Sequence, residues 1–405
     1  MKRVKLGDIT ESCLGKMLDA EKNIGEYEPY LANINVRWGE FDLDNLSQMR
    51  FEKKEQERYG IKYGDLIMCE GGEPGRCAIW RDDIPNMKIQ KALHRIRVKD
   101  CVNVEWLYYW FLLAGKKNLL KGYFTETTIK HLTGDMLREI ELDLPELSVQ
   151  EKIAKVLAPI DEKIRLNNKI NNNLAKQIEA IYDYWFIQFN YPDANGKPYK
   201  ASGGSMVYSD ILKRNIPTSF SVHGLLELVN WESNSQPPKS EFVYEPKNGY
   251  VRFIQNRDYD SSDHVTYIPY KPNLSIVNKL DILIDKYGDA GATRYGIEGA
   301  FNVALGKINV HTENQLEYIR SFLSSKSIYD YLHNSCMAST RASLSEANLE
   351  PIKIPLPPVE VLDNFQTLVN GLRVSILHNI EENQKLTTLR NNLLPVLMNG
   401  QATID

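Results

Sequence analysis

The chain has 405 residues, 42% of them hydrophobic and 25% charged, with a formal net charge of −4. That length supports two or three domains with their own cores, and the charge provides no bulk attraction to nucleic acid, so any such binding must come from local basic patches. The longest apolar run, Trp106 to Ala114, is too short to span a bilayer, and the opening Met1-Lys2-Arg3-Val4-Lys5 leads into a polar segment, so a cytoplasmic chain without a membrane partner is expected.

In chain order, the first informative element is Tyr30-Leu31-Ala32-Asn33-Ile34-Asn35-Val36-Arg37, because it returns as Tyr250-Val251-Arg252-Phe253-Ile254-Gln255-Asn256-Arg257 at an offset of 220. Asp65-Leu66-Ile67 with Gly72-Glu73 and Gly75 returns as Asp281-Ile282-Leu283 with Gly288-Asp289 and Gly291, at 216. Leu142-Asp143-Leu144-Pro145 returns as Ile354-Pro355-Leu356-Pro357, at 212. The drift marks small insertions and deletions in surface loops, and the unit is half a chain, so this is a duplicated domain and not a solenoid. Asp65–Cys69 and Asp281–Asp285 read as short strands. Glu73-Pro74-Gly75 and Gly288-Asp289-Ala290-Gly291 read as tight turns, and Trp106–Leu113 and Leu316–Leu332 as helices, which makes each module α+β.

Each repeated proline opens a long amphipathic stretch, Gln150 to Gln188 and Leu362 to Asn399. In the first, Ile160, Ile164, Asn167, Asn171, Leu174, Ile178, Ile181 and Trp185 alternate steps of four and three. Leu372, Ile376, Asn379, Asn383, Leu386, Arg390, Leu393 and Leu397 follow the same steps, each 212 residues later. That is a heptad seam with two asparagine layers, which fix register once they find partners. Two separate surface helices with asparagine faces are the alternative. An antiparallel pair brings Asn167 to Asn383 and Asn171 to Asn379. A parallel pair also matches Asn with Asn, but the globular module between the helices favours the antiparallel, pseudo-twofold arrangement. The seam from Ile160 to Trp185 is roughly 38 Å long at about 1.5 Å per residue, near the ~34 Å of one DNA turn. Pro159 either kinks the first helix or marks its start. Between the halves, residues 190–205 are rich in turn formers and form a linker. The expected divisions are 1–145, a first recognition domain; 146–190, a spacer helix; 191–357, linker and second recognition domain; and 358–405, a second spacer helix.

Catalytic motifs are missing from the sequence. There is no Gly-Lys-Ser/Thr phosphate loop, no G-x-G-x-x-G, no His-Glu-x-x-His and no Asn-Pro-Pro-Tyr/Phe. The five cysteines, Cys13, Cys69, Cys77, Cys101 and Cys336, show no metal-ligand spacing and fit reduced thiols. The candidate contacts are therefore basic and amide side chains that can hold phosphates or base edges. They are Arg37, Arg76, Arg81, Lys88, Gln90 and Lys91 in the first module. In the second they are Arg252, Gln255, Asn256, Arg257, Lys286, Arg294 and Arg341. A solvated charged face is the equal alternative.

Asp65-Leu66-Ile67 before its glycine turn, the block Leu142-Asp143-Leu144-Pro145-Glu146-Leu147-Ser148-Val149-Gln150-Glu151-Lys152-Ile153-Ala154, Ile160-Asp161-Glu162-Lys163-Ile164 and Tyr184-Trp185-Phe186 resemble the specificity subunit of type I restriction-modification systems. The resemblance spans the chain. It implies two target recognition domains separated by two long helices in an antiparallel coiled coil, reading a bipartite asymmetric double-stranded DNA site without catalysis. It also implies partners: methyltransferase subunits, two of them, and ATP-dependent restriction subunits. S-adenosylmethionine, ATP and Mg would sit on those partners and none on this chain, which directs adenine methylation or restriction. Leu362 departs from the pattern, standing where the first copy has Gln150. A two-headed scaffold for proteins and a self-contained modification enzyme with duplicated recognition domains are the competing functions.

Overall fold

Short apolar strands punctuated by glycine turns assemble the same sheet in both halves. The computed structural model describes residues 2–19, 23–44, 46–81, 83–126, 130–259, 264–337 and 343–401. They divide into two units, Met1–Asn167 with Glu382–Asp405, and Asn168–Glu381.

In the first unit a four-stranded antiparallel sheet runs in the order Thr10–Leu14, Leu93–Val98, Leu66–Cys69, Cys77–Ile79. In the second the order is Val229–Ser233, Leu305–Val310, Ile282–Asp285, Thr293–Arg294, the same topology. A second sheet follows in each: Glu26–Leu31 lies antiparallel to Ser47–Phe51 and parallel to Lys88–Ile89. Its counterpart Tyr250–Ile254 lies antiparallel to Tyr267–Pro269 and parallel to Gly299–Phe301. The central strands Leu66–Cys69 and Ile282–Asp285 are buried at every residue, which is why they show no alternation in the sequence.

Helical segments cover the sheet in each head. In the first the segment is Val104–Lys116, capped by Asn103, whose Oδ1 accepts from the Trp106 amide at 3.0 Å. In the second the single helix expected over Leu316–Leu332 is two, Leu316–Ser324 and Lys326–Met337. Ser325 breaks it: its amide and hydroxyl both turn back to the Phe322 carbonyl, and its own carbonyl starts the next helix by accepting from Tyr329. The last strand of each head, Glu141–Leu144 or Lys353–Leu356, pairs with Lys2–Lys5 or Ser221–Gly224 and delivers the chain to a long helix.

The long helices are Leu147–Tyr182 and Val359–Met398; the first passes through Pro159, which therefore does not mark its start. In the first unit Asn167 Nδ2 donates to Asn383 Oδ1 at 2.8 Å and to Glu382 Oε2 at 2.7 Å. Arg390 reaches back to Asp161 at 2.6 Å, and Leu157 shares a core with Leu394 and Leu397. In the second unit Asn379 Nδ2 donates to Asn171 Oδ1 at 2.8 Å. There Leu174, Ile178, Tyr182 and Trp185 pack in one cluster with Phe365, Val369, Leu372 and Ile376. In both units a step forward on one helix meets a step back on the other, so the pairing is antiparallel. Ile160, Ile164, Leu386 and Leu393 are partly buried along the same face. Arg390 occupies a seam position because Asp161, itself accepting from Tyr109 Oη at 2.9 Å, receives it.

The turn-rich stretch after residue 190 is folded onto the second unit. Tyr191 is buried, stacks on Tyr199 at 4.8 Å and packs with Phe220. Its aromatic residues, which composition alone does not weigh, outweigh its turn formers. All five cysteines are free thiols, and no described helix is long and apolar enough to cross a membrane.

The turn glycines supply a test of the fold. Gly75 has φ +96° and an added Cβ would sit 2.6 Å from Leu120 Cδ1, whereas Gly288 has φ +75° and open space around it. Gly288→Ala should cost about 1 kcal/mol, the left-handed penalty alone, and Gly75→Ala distinctly more. Thermal melting of the two variants checks the order, and equal losses would show that Leu120 does not constrain the turn.

Candidate nucleic-acid interface

The repeated acidic residue of each head closes its own turn. Asp65 accepts from the Lys62 amide at 2.8 Å and holds Arg97 through bonds of 2.7 and 3.0 Å. Asp281 accepts from the Asn278 amide at 2.9 Å and pairs with Lys307 at 3.0 Å. The glycine turns after them are backbone copies: Gly72 and Gly288 have φ 74° and 75°, and Gly75 and Gly291 have φ 96° and 95°. Gly75 and Gly291 donate to the equivalent carbonyls of Cys69 and Asp285. A framework this well reproduced places whatever surrounds each turn at the same position in its own head.

In the first head most candidate cations are occupied internally. Arg76 is bound by Glu73 at 3.0 Å and by the side chain and carbonyl of Asn33 at 3.0 and 3.3 Å. Arg81 pairs with Glu105 at 2.8 Å; burial opposes its charge, but Glu105 outweighs burial and the pKa is raised. Lys88 is the clear correction. It is 2% exposed, pairs with Glu28 at 2.6 Å and lies over the Phe51 ring, so it is an interior ion pair and not a surface contact. Gln90 is half-buried, with its backbone accepting from Leu93 and donating to Leu31. Arg37 is half-exposed, 3.9 Å from Asp42, and Lys91 is exposed without an ion pair among the described residues.

The second head repeats the theme with other partners. Arg252 lies 3.7 Å from the buried Asp258, whose pKa is pushed up by burial against the pull of the Gln255 amide and Arg252. Gln255 Nε2 donates to Thr266 Oγ1 at 3.0 Å, and Asn256 Nδ2 to the Tyr287 carbonyl at 3.5 Å. Arg294 grips Asp285 at 2.8 and 3.0 Å and reaches Asp289 at 3.3 Å. Arg257 is exposed and Lys286 half-buried, while Arg341 lies outside the described residues.

Sequence reasoning missed Lys117, Lys121 and Lys130, exposed residues flanking the first glycine turn. The signal was there: from Gly115 to His131 the chain carries four lysines against one glutamate. It also missed a Ser221–His223–Glu227 chain, with contacts of 2.9 and 3.2 Å. Glu227 has its pKa lowered first by the Gly224 amide and then by His223, and it caps the turn Leu225–Glu227. With the histidine a third exposed and the carboxylate more so, the chain belongs to an open surface cap.

Duplicated sheet heads, each joined to a stretch of antiparallel helix pair and carrying basic side chains around a repeated glycine turn, define a two-headed recognition protein. The family model described as "Type I restriction modification DNA specificity domain" matches residues 1–176 and again 218–395, and the chain belongs to that family. It is 26% identical over 357 residues to the type I restriction enzyme MjaIX specificity subunit of Methanocaldococcus jannaschii, covering 84% of this chain and 78% of the relative. It is 21% identical over 430 residues to the HindI specificity subunit of Haemophilus influenzae, covering 91% and 92%. The crystal structure of a type I restriction-modification S subunit from M. genitalium has the same fold, with a TM-score of 0.52, 17% identity, and coverage of 98% and 95%.

The two lysines separate stability from recognition. Lys88→Ala leaves Glu28 half-buried without its cation and should destabilise by about 3 kcal/mol, the usual cost of stripping one partner from a buried pair. Lys91→Ala should change stability by less than about 0.5 kcal/mol and weaken DNA binding. Urea denaturation and DNA titration of both variants check this, and a stable Lys88→Ala protein with selectively weakened DNA binding would reverse the assignment.

Proposed function

We propose that this chain is the recognition subunit of a type I restriction-modification complex, non-catalytic itself, whose two heads each read one half of a bipartite, asymmetric double-stranded DNA site. The observation that carries this is duplication with divergence: two heads of one topology present different side chains around the same glycine turn. Among the described residues, Arg37, Lys91, Arg257 and Lys286 are the candidates with surface still available for DNA. Arg76, Arg81, Arg252, Arg294, Gln255 and Asn256 shape the loops that carry them. The long helices act as the spacer between half-sites and as the docking surface for two methyltransferase subunits, which restriction subunits join in the cytoplasm. S-adenosylmethionine is carried by the methyltransferase, and ATP and Mg by the restriction subunit. The working boundaries are 1–145 and 191–357 for the recognition domains and 146–190 and 358–405 for the spacers.

Co-expression with the methyltransferase subunit, affinity capture through this chain and mapping of methylated adenines test the proposal. A split, asymmetric motif with a fixed gap is expected. Failure to capture the methyltransferase, or methylation without sequence preference, would leave a two-headed protein scaffold in its place.

The helices as ruler have their own test. Inserting four residues after Asn171 lengthens the first helix by about 6 Å and puts Leu174 and the layers beyond it out of register with the Asn171–Asn379 layer. The gap between half-sites should change, or the complex should fail to assemble. An assembled complex that methylates the original motif with the original gap would show that the helices do not set the spacing.

A further inference from the structure

The two heads share their sheets but part company between the covering helix and the last strand. In the first head the chain leaves Val104–Lys116, reverses at Asn118, whose φ is +53°, and returns as a hairpin of Thr125–Glu126 with Lys130–His131. In the second head the interval opens with the helix Lys326–Met337, and its described part resumes at Ser343 and passes through the short turn Glu346–Asn348. Both segments press on the repeated turn. Gly71 bridges to His131, an added Cβ on Gly75 would meet Leu120, and one on Gly291 would meet Leu332. The element that differs most thus borders the element that differs least.

The chemistry of the two segments differs too. Lys117, Lys121 and Lys130 are exposed and make no ion pair among the described residues. On Lys326–Met337 the one lysine is paired with Asp330 at 2.8 Å. Stabilising a helix end accounts for a lysine at 117 through the helix dipole, but not for Lys121 or Lys130, which lie beyond the helix. Cations without an ion pair, in a head whose candidate arginines are mostly paired, are poised for an external anion, and lysines on a segment that borders a rigid turn suit a phosphate backbone.

The geometry points to Lys117, Lys121 and Lys130 as the phosphate clamp of the first head, with no counterpart on Lys326–Met337 in the second. This rests on the DNA-reading role proposed above and adds that the half-sites contribute unequally to the electrostatic share of affinity. The first head holds its half-site through salt-sensitive phosphate contacts that the helix Lys326–Met337 of the second head does not supply.

The test is the affinity of the assembled methyltransferase complex for DNA containing its mapped motif, measured as a function of salt. Each phosphate contact contributes roughly 0.9 to the slope of log affinity against log salt. The triple variant Lys117→Ala, Lys121→Ala, Lys130→Ala should lower the slope by about 2.7 and leave the methylated motif unchanged. The corresponding triple arginine variant should keep the slope, which separates charge from shape, and Lys326→Ala should not move it. An unchanged slope in the alanine variant, with assembly and motif intact, overturns the clamp, and a drop of about 0.9 for Lys326→Ala overturns the asymmetry. Failure of the unsubstituted complex to recognise any motif would instead remove the DNA-reading role itself.

Discussion

The constraint on which the rest depends is the placement of asparagine in a mostly apolar helix seam. An amide buried between helices costs stability unless its hydrogen bonds are made. Asn167 Nδ2 makes them only where Asn383 and Glu382 come opposite, while its Oδ1 has no hydrogen-bond partner among the described residues, and Asn379 Nδ2 is paired only where Asn171 comes opposite. A slip of one heptad on either helix would set these amides against leucine, isoleucine or, for Asn167 in one direction, Arg390. Apolar contacts such as Leu174 with Ile376 tolerate such slippage far better, so the amides select the register and the apolar layers supply most of the attraction.

A fixed register is useful only if each head is fixed to its own stretch of helix, and the two units do this with opposite charges. Asp161 on the first long helix binds Arg390 and accepts from Tyr109 of the first head. The repeat-equivalent residue on the second helix is Arg373, which binds the fully buried Glu317 of the second head at 3.0 Å and lies over Tyr295. Burial opposes the charge of Arg373, but Glu317 and Tyr295 outweigh it and raise its pKa; for Arg320, also bonded to Glu317, burial wins and the pKa is lowered. Buried ion pairs of this kind add little net stability over apolar packing but are costly to break. Their value here is that a helix–head match depends on the sign of one residue.

The frame of the molecule was legible because it is written in periodicities. Repeated glycine turns, repeated prolines and a matched heptad each correspond to backbone geometry the structure reproduces, down to φ angles within a degree of each other at Gly72 and Gly288. The departure at Leu362 also has a physical resolution. Gln150 is fully buried, accepts from the Asn103 amide and donates to two carbonyls at the base of the first helix. In the second unit Leu362 is core, and Gln366, one turn later, accepts from the Glu317 amide of the head helix. The bond between head helix and long helix survives, and an alignment by constant offset hides it. What sequence does not carry is the partner of a charge. Lys88 and Lys91 are three residues apart and chemically identical, yet one is sealed against Glu28 and the other stands in solvent.

That distinction governs how a chain with a net charge of −4 can hold a polyanion. Cations bound to internal carboxylates contribute fixed geometry and little external field, because each is neutralised within about 3 Å and the pair appears from a distance as a dipole. Arg76, Arg97 and Arg294 are of this kind. The field a phosphate meets is then set by the lysines and arginines that are not neutralised internally, and loops can move such residues without disturbing a core. Recognition can therefore diverge between two heads while the sheets beneath them stay the same. The paired arginines hold the loops in shape, and exposed side chains on those loops can change without disturbing the core.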